Sequence, residues 1–193
     1  MANVDRPNGL QPYKDAYGNP YNGQHVAMFC DANLFLGDLV ITDADGNLGY
    51  QSCARATGTT DGTALGVVVG WEVQPDNLSD LYYRASTVYK VYICTDPNVS
   101  YVIQGDGAGT ISIDATDVGL NADLVIAAGS TTTGASNMEL DESTTGATAI
   151  ATPLHILGLL DAPDNEFGVA NQKVIVKLNM HAYAVEAGTT TGV

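Results

Sequence analysis

The stretch "LVITDADGNLGYQS", residues 39–52, decides how the chain is read. Asp43, Asp45 and Asn47 alternate as oxygen-bearing side chains around Gly46, as ligands alternate in a calcium loop. An EF-hand loop, however, needs oxygen ligands at its first and twelfth positions, the twelfth a bidentate carboxylate, and a helix on either side. With Gly46 as the sixth residue, Ile41 stands first and Ser52 twelfth, and neither serves. The flanks "DLVIT" and "NLGYQS" are short and β-prone, and Asp-Gly between such runs signals a hairpin. The stretch reads as a turn between two strands.

The same punctuation runs through the chain. Short apolar runs recur between Gly, Asp, Asn and Thr: "HVAMFCD", "TALGVVVGWEV", "STVYKVYICT", "VSYVIQ", "GTISIDA", "TPLHILGLLD", "QKVIVKLN" and "HAYAVE". In "KVIVKLN", Val174, Val176 and Leu178 alternate with Lys173, Ile175, Lys177 and Asn179, the period of a strand with one buried face. Val67, Val68 and Val69 followed by Trp71 predict a strand buried on both faces. Only "DVGLNADLVIAAG" has room for a short helix. The spacing predicts an all-β fold, a small β-sandwich or barrel-like body with Thr/Gly-rich loops. From Gly129, "GSTTTGASNMELDESTTGATAIATP" reads as an exposed loop or flap around one short strand at 138–140.

Residues 1–25 differ from the body. Pro7, Pro12 and Pro20 exclude a helix, and no alternating apolar face appears, yet Tyr13, Tyr17 and Tyr21 recur every four residues. Three tyrosines are a large apolar area to leave in water, so an extended arm is expected, packed on its own body or on a neighbouring subunit; a disordered tail is the bland alternative. The predicted organisation is an arm over 1–25, one β-rich body over 26–186 and a mobile tail over 187–193.

Composition narrows function. Seven basic against 22 acidic residues give a net charge of −15, too few cations to neutralise many phosphates or to hold an anionic membrane, so neither nucleic acid nor membrane is an expected partner. No run approaches the roughly 18 apolar residues of a membrane span, and no signal peptide is visible at the N-terminus. Cys30, Cys53 and Cys94 form no C-x-x-C and no even framework, and are expected as reduced thiols.

No motif demands chemistry. "GDGAGT" at 105–110 lacks the third spacing of a dinucleotide loop and is expected to be a turn. His25, His155 and His181 each stand without a second ligand at helical or strand spacing, and no nucleophile motif flanks a Ser or Cys. His155 is expected as a hydrogen-bonded strand residue. The acidic runs "DAPDNE" and "ELDE" are expected as solvated turns, with Pro163 and Asn165 fixing the first. No catalytic residue, metal or cofactor is therefore predicted. Arg6, Arg55 and Arg84 stand out in so acidic a chain as candidate anchors for a partner's carboxylate.

The opening "MANVDRPNGLQPY", together with "DPNVSYVIQGDG", "ATDVGLNADLVIAAGSTTTGASNMELDES" and "LHILGLLDAPDNEFGVANQKVIVKLNMHAY", resembles the capsid decoration (cement) proteins of tailed bacteriophages. The resemblance covers the N-terminus and most of the chain after residue 90, and is weakest over 54–90. It implies a virion structural protein, made in the host bacterial cytoplasm and seated on the outer capsid surface. There it would act as a homotrimer bound to the major capsid protein, stabilising the shell by bridging capsomers without catalysis. Arg6, Pro7, Tyr13, Tyr17 and Tyr21 are then the expected capsid or subunit contacts. The alternative is a virion attachment knob, or a fibre or head-completion protein, binding a host glycan or another virion subunit.

Overall fold

A computed structural model of the chain describes residues 3–46, 48–58, 63–107, 113–146 and 152–184. In chain order the strands are β1 (Gln11–Lys14), β2 (Val26–Cys30), β3 (Leu39–Thr42), β4 (Ser52–Arg55), β5 (Ala64–Trp71), β6 (Ser86–Cys94), β7 (Ser100–Gln104), β8 (Asn121–Ala122), β9 (Leu124–Val125), β10 (Glu139–Leu140), β11 (Leu154–Leu159) and β12 (Lys173–Leu178). Two short 3-10 turns, Pro75–Asn77 and Glu142–Thr144, are the only helical elements among the described residues. The fold is all-β.

The stretch 39–52 is a hairpin connection. β3 and β4 run antiparallel with Val40 opposite Arg55, Ile41 opposite Ala54 and Thr42 opposite Cys53. They belong to a closed barrel in the order β2, β4, β3, β5, β6, in which only the β2–β4 pair is parallel. Met28, Val40, Leu65, Val68, Val91 and Ile93 fill it, with the buried ring of Tyr83 packed among them. A second, antiparallel sheet has the order β1, β7, β12, β11, β8. On β12, Val174, Val176 and Leu178 are buried while Lys173, Ile175 and Lys177 are half-exposed, as the alternation predicts.

One wall serves two cores. Tyr101, Ile103, Ile156 and Val176 of the sheet pack against Leu39, Val67 and Cys94 of the barrel. Successive strand residues point to opposite faces, so Leu39 enters the inter-sheet core and Val40 the barrel, Val67 the former and Val68 the latter. The continuous valine run of β5 follows from this position, since each buried aliphatic side chain is worth about 1.5–3 kcal/mol on either side. Gly66 permits the wall to close: a methyl group there would run into the Cys94 carbonyl oxygen on β6.

Three expectations change. "DVGLNADLVIAAG" contains turns and the two-residue strands β8 and β9 rather than a helix, because Ala122 and Leu124 are buried at a spacing of two. "HAYAVE" does not continue as a strand over its described residues: His181 makes one bridge to Ala64, and Ala184 N–H then donates to the His181 carbonyl at 3.0 Å. The segment after Gly129 is not a free flap, since Ser136, Met138, Leu140 and Glu142 are all buried at alternate positions. Two of those four are polar, which hides the period. The N-terminal segment takes the first of its two expected placements, on its own body, where β1 pairs antiparallel with β7 and Leu10 is fully buried. Most of "GTISIDA", part of "GDGAGT" and the tail 187–193 lie outside the described residues.

Candidate interaction surface

The predicted contact residues occupy one continuous N-terminal run, and its hydrogen bonds decide which of them face outward. Asn3 is clamped to the 166–170 loop: its Nδ2 donates to the carbonyls of Glu166 (3.0 Å) and Ala170 (3.2 Å), and its Oδ1 accepts the Glu166 N–H at 2.7 Å. Gln104 holds the next residues, accepting the Arg6 N–H at 3.1 Å and donating to the Val4 carbonyl at 2.9 Å. Arg6 itself is exposed, and Pro7 is half-buried beside it. The Arg6 guanidinium has no carboxylate partner among the described residues.

After β1 the chain reverses through a turn built on one carboxylate. Asp15 accepts the N–H groups of Tyr17 and Asn19, both at 2.9 Å, and the Asn19 side-chain amide at 3.1 Å. Those hydrogen bonds, led by the Asn19 side chain, hold its carboxyl below the usual carboxylate range. Lys14 and Pro20 bridge across the base of the turn. At its tip Tyr17 is 90% exposed. The other two tyrosines are occupied: Tyr13 lies under the Lys14 ammonium, 4.6 Å from its ring centre, and Tyr21 packs on the inter-sheet core. Of the three, Tyr17 alone is held out to solvent on an ordered support.

The arginines separate in the same way. Arg55 is spent internally, pairing through Nε with the buried Asp38 at 2.8 Å and donating to the Ala127 carbonyl. Arg84 pairs locally with Asp80 at 3.4 Å and with Asn77 at 2.6 Å. Arg6 is left as the candidate anchor for a partner's carboxylate.

A second exposed feature lies on the β5–β6 connection, where Val73 (68%) and Leu78 (74%) stand in solvent on either side of the Pro75–Asn77 turn. Sequence reasoning missed it because "EVQPDNLSD" has the composition of an ordinary loop. Its signal is apolar residues that match no strand period.

The groups that could carry chemistry are mostly engaged in structure. Cys30 and Cys53 stand opposite each other on β2 and β4, free and buried. Their thiols hydrogen-bond, which lowers the Cys30 thiol and, together with burial, raises that of Cys53. His155 lies 2.8 Å from the Asn121 amide oxygen. His181 is buried, accepts the Tyr183 N–H on Nδ1 at 3.1 Å and has no partner for Nε2 among the described residues; burial pulls it down to about 4. The run "ELDE" is not a solvated turn throughout. Glu142 is fully buried against Gly105, both its carboxylate oxygens lack a hydrogen-bond partner among the described residues, and Glu139 beside it has one such oxygen. Burial first, and then neighbouring carboxylates including Asp106, push both up to about 7. "DAPDNE" fits its expected role: Asn165 donates to the Leu160 and Lys173 carbonyls at 2.8 Å each, pinning the loop between β11 and β12. Among the described residues no group of three His, Cys, Asp or Glu side chains converges in a metal-binding arrangement.

The chain matches no known protein-family model, no curated protein and no solved structure.

Proposed function

We propose that the protein is a capsid decoration protein of a tailed bacteriophage, binding the major capsid protein on the outer surface of the shell as a homotrimer and bridging capsomers. The observation that carries the reading is the Asp15 turn, which holds Tyr17 90% exposed on an ordered, proline-flanked support. Tyrosine is among the residues that dominate interface energies, and fixing it before binding removes part of the entropy cost of association. Arg6, with no carboxylate partner of its own among the described residues, supplies a charge-directed contact on the same N-terminal segment. Weak contacts of this kind, repeated over a symmetric shell, accumulate through multivalency. A net charge of −15 keeps free subunits apart before they reach the shell.

The test is the copy number of this chain against the major capsid protein in purified virions, by quantitative mass spectrometry. Near-stoichiometric abundance supports decoration. A handful of copies would favour the attachment knob, fibre or head-completion role instead, and absence from the particle would overturn the virion assignment altogether.

A further inference from the structure

The register of the second sheet gathers polar side chains in one row across its strands. Asn121, His155, Lys177 and Ser100 stand opposite one another across β8, β11, β12 and β7. Their chain neighbours Ile156, Val176 and Tyr101 are in the core, so His155 and Lys177 lie on the outer face. There the surface opens into a cleft of about 490 Å3, whose walls include Asn98, His155, Lys177, Asn179 and Tyr183. That volume falls in the range of roughly 300–1,000 Å3 in which proteins hold small molecules.

The charge of the cleft is opposite to that of the protein. The chain has 22 acidic residues, yet among the described residues no Asp or Glu lines this cavity. Asp96, just before its rim, is turned into its own loop and accepts the Asn98 N–H at 2.8 Å. Lys177 has only the Asn98 amide oxygen, at 3.5 Å, and no carboxylate partner among the described residues. The other three lysines are engaged: Lys173 with Asp164 at 2.7 Å, and Lys14 and Lys90 over tyrosine rings.

The remaining walls are held in place from behind. The Asn121 amide oxygen takes the Nδ1 side of the His155 ring and leaves Nε2 for a ligand. Asn179 donates to the Thr152 carbonyl at 3.1 Å, which leaves its own amide oxygen free to accept. Tyr183 is fixed at both ends, its N–H on His181 Nδ1 and its hydroxyl on Gln51. An ammonium without a counter-ion, flanked by amides, an imidazole and an immobilised ring, suits a ligand that joins one negative charge to several hydroxyls. The repulsive field of the rest of the chain is screened beyond about 8 Å at physiological salt, so the local cation governs the final contact.

We propose that this cleft binds a small carboxylate of sugar-acid size, with Lys177 on the carboxylate, His155, Asn98 and Asn179 on neighbouring hydroxyls and Tyr183 against the ring. The proposal does not depend on the decoration role. The ligand this implies is a uronic acid, free or as a unit of a polysaccharide, and a simple amino-acid carboxylate serves below as the competing probe.

The experiment is a titration of the full 15N-labelled chain with glucuronate, glutamate and glucose, followed by NMR. Glucuronate should move the amide signals of Asn98, His155, Lys177, Asn179 and Tyr183 saturably, while glucose leaves them in place. Lys177→Gln should weaken the response about tenfold or more, the worth of one charge-assisted hydrogen bond, and Lys177→Arg should retain most of it. A clear preference for glucuronate over glutamate supports the sugar-acid assignment, and glutamate as effective as glucuronate would overturn it. No saturable shift with either acid, glucose binding as well as glucuronate, or a folded Lys177→Gln that responds like the parent would each overturn the proposal.

Discussion

Single residues govern how this molecule responds to pH and carry its proposed contact. In the unfolded chain Glu142 titrates near the ordinary carboxylate value of roughly 4.3, whereas folded it titrates at about 7. Between those values the folded state holds the extra proton, so stability falls as pH rises through the window and levels off above it. The displacement corresponds to something on the order of 3 kcal/mol for this buried group. Glu139 acts in the same direction. His181 opposes them: folded it titrates at about 4, so between there and its ordinary value the unfolded chain holds the extra proton and stability rises with pH. Two carboxyls outweigh one imidazole, and the urea midpoint should drop from pH 5 to pH 7.5. Glu142→Gln should remove much of that drop while changing little at pH 5; a parent midpoint that is flat or rising over this range would refute the account. Tyr17→Ala should leave the unfolding free energy unchanged within about 0.5 kcal/mol, as at any exposed site. In binding assays on shells lacking this protein, the same variant should lower occupancy several-fold, and full occupancy would remove Tyr17 from the contact. "ELDE" showed its acids in sequence, but the burial of Glu142 against Gly105 is a tertiary contact that no local pattern announces.

At the scale of elements, the N-terminal segment is the instructive case. Its prolines and tyrosines showed an extended, adhesive chain, and the alternatives of own body or neighbour followed from their apolar area. Pairing with β7 decided the matter for most of the segment, because β7 would otherwise offer an unpaired edge. Deleting residues 1–22 would therefore strip β1, Leu10 and Tyr21 from the body together. The truncated chain should lose at least about 2–5 kcal/mol, the scale of one large core side chain, and expose its core to a hydrophobic dye. A truncation as stable as the parent would mean that the segment is a passive arm. For this reason Tyr17→Ala, rather than truncation, isolates the contact role. The segment after Gly129 teaches the converse lesson: Ser136, Met138, Leu140 and Glu142 have the period of a buried strand, but the two polar members conceal it from a hydrophobicity pattern.

For the whole molecule, the consequence of the shared wall is cooperativity. β3 and β5 contribute to the barrel interior through one face and to the inter-sheet core through the other. Leu65→Ala in the barrel and Ile156→Ala in the inter-sheet core should each cost about 2–5 kcal/mol. Each should shift one common unfolding transition seen by both circular dichroism and tryptophan fluorescence, since Trp71 packs against the barrel core; two separated transitions would show that the halves unfold independently. The sequence by itself determined the all-β class, the hairpin at 39–52, the alternation of β12 and the double burial of β5, because side-chain period and turn chemistry are local properties. Only the tertiary structure decided which strands close into a barrel, which arginine is left without a carboxylate among the described residues, and which carboxyls are buried. It also set Lys177 and His155 side by side at a cleft with no acid among its described lining residues. Those outcomes depend on pairing between segments far apart in the chain, where register and shared burial, rather than the residues of either segment alone, set the free energy.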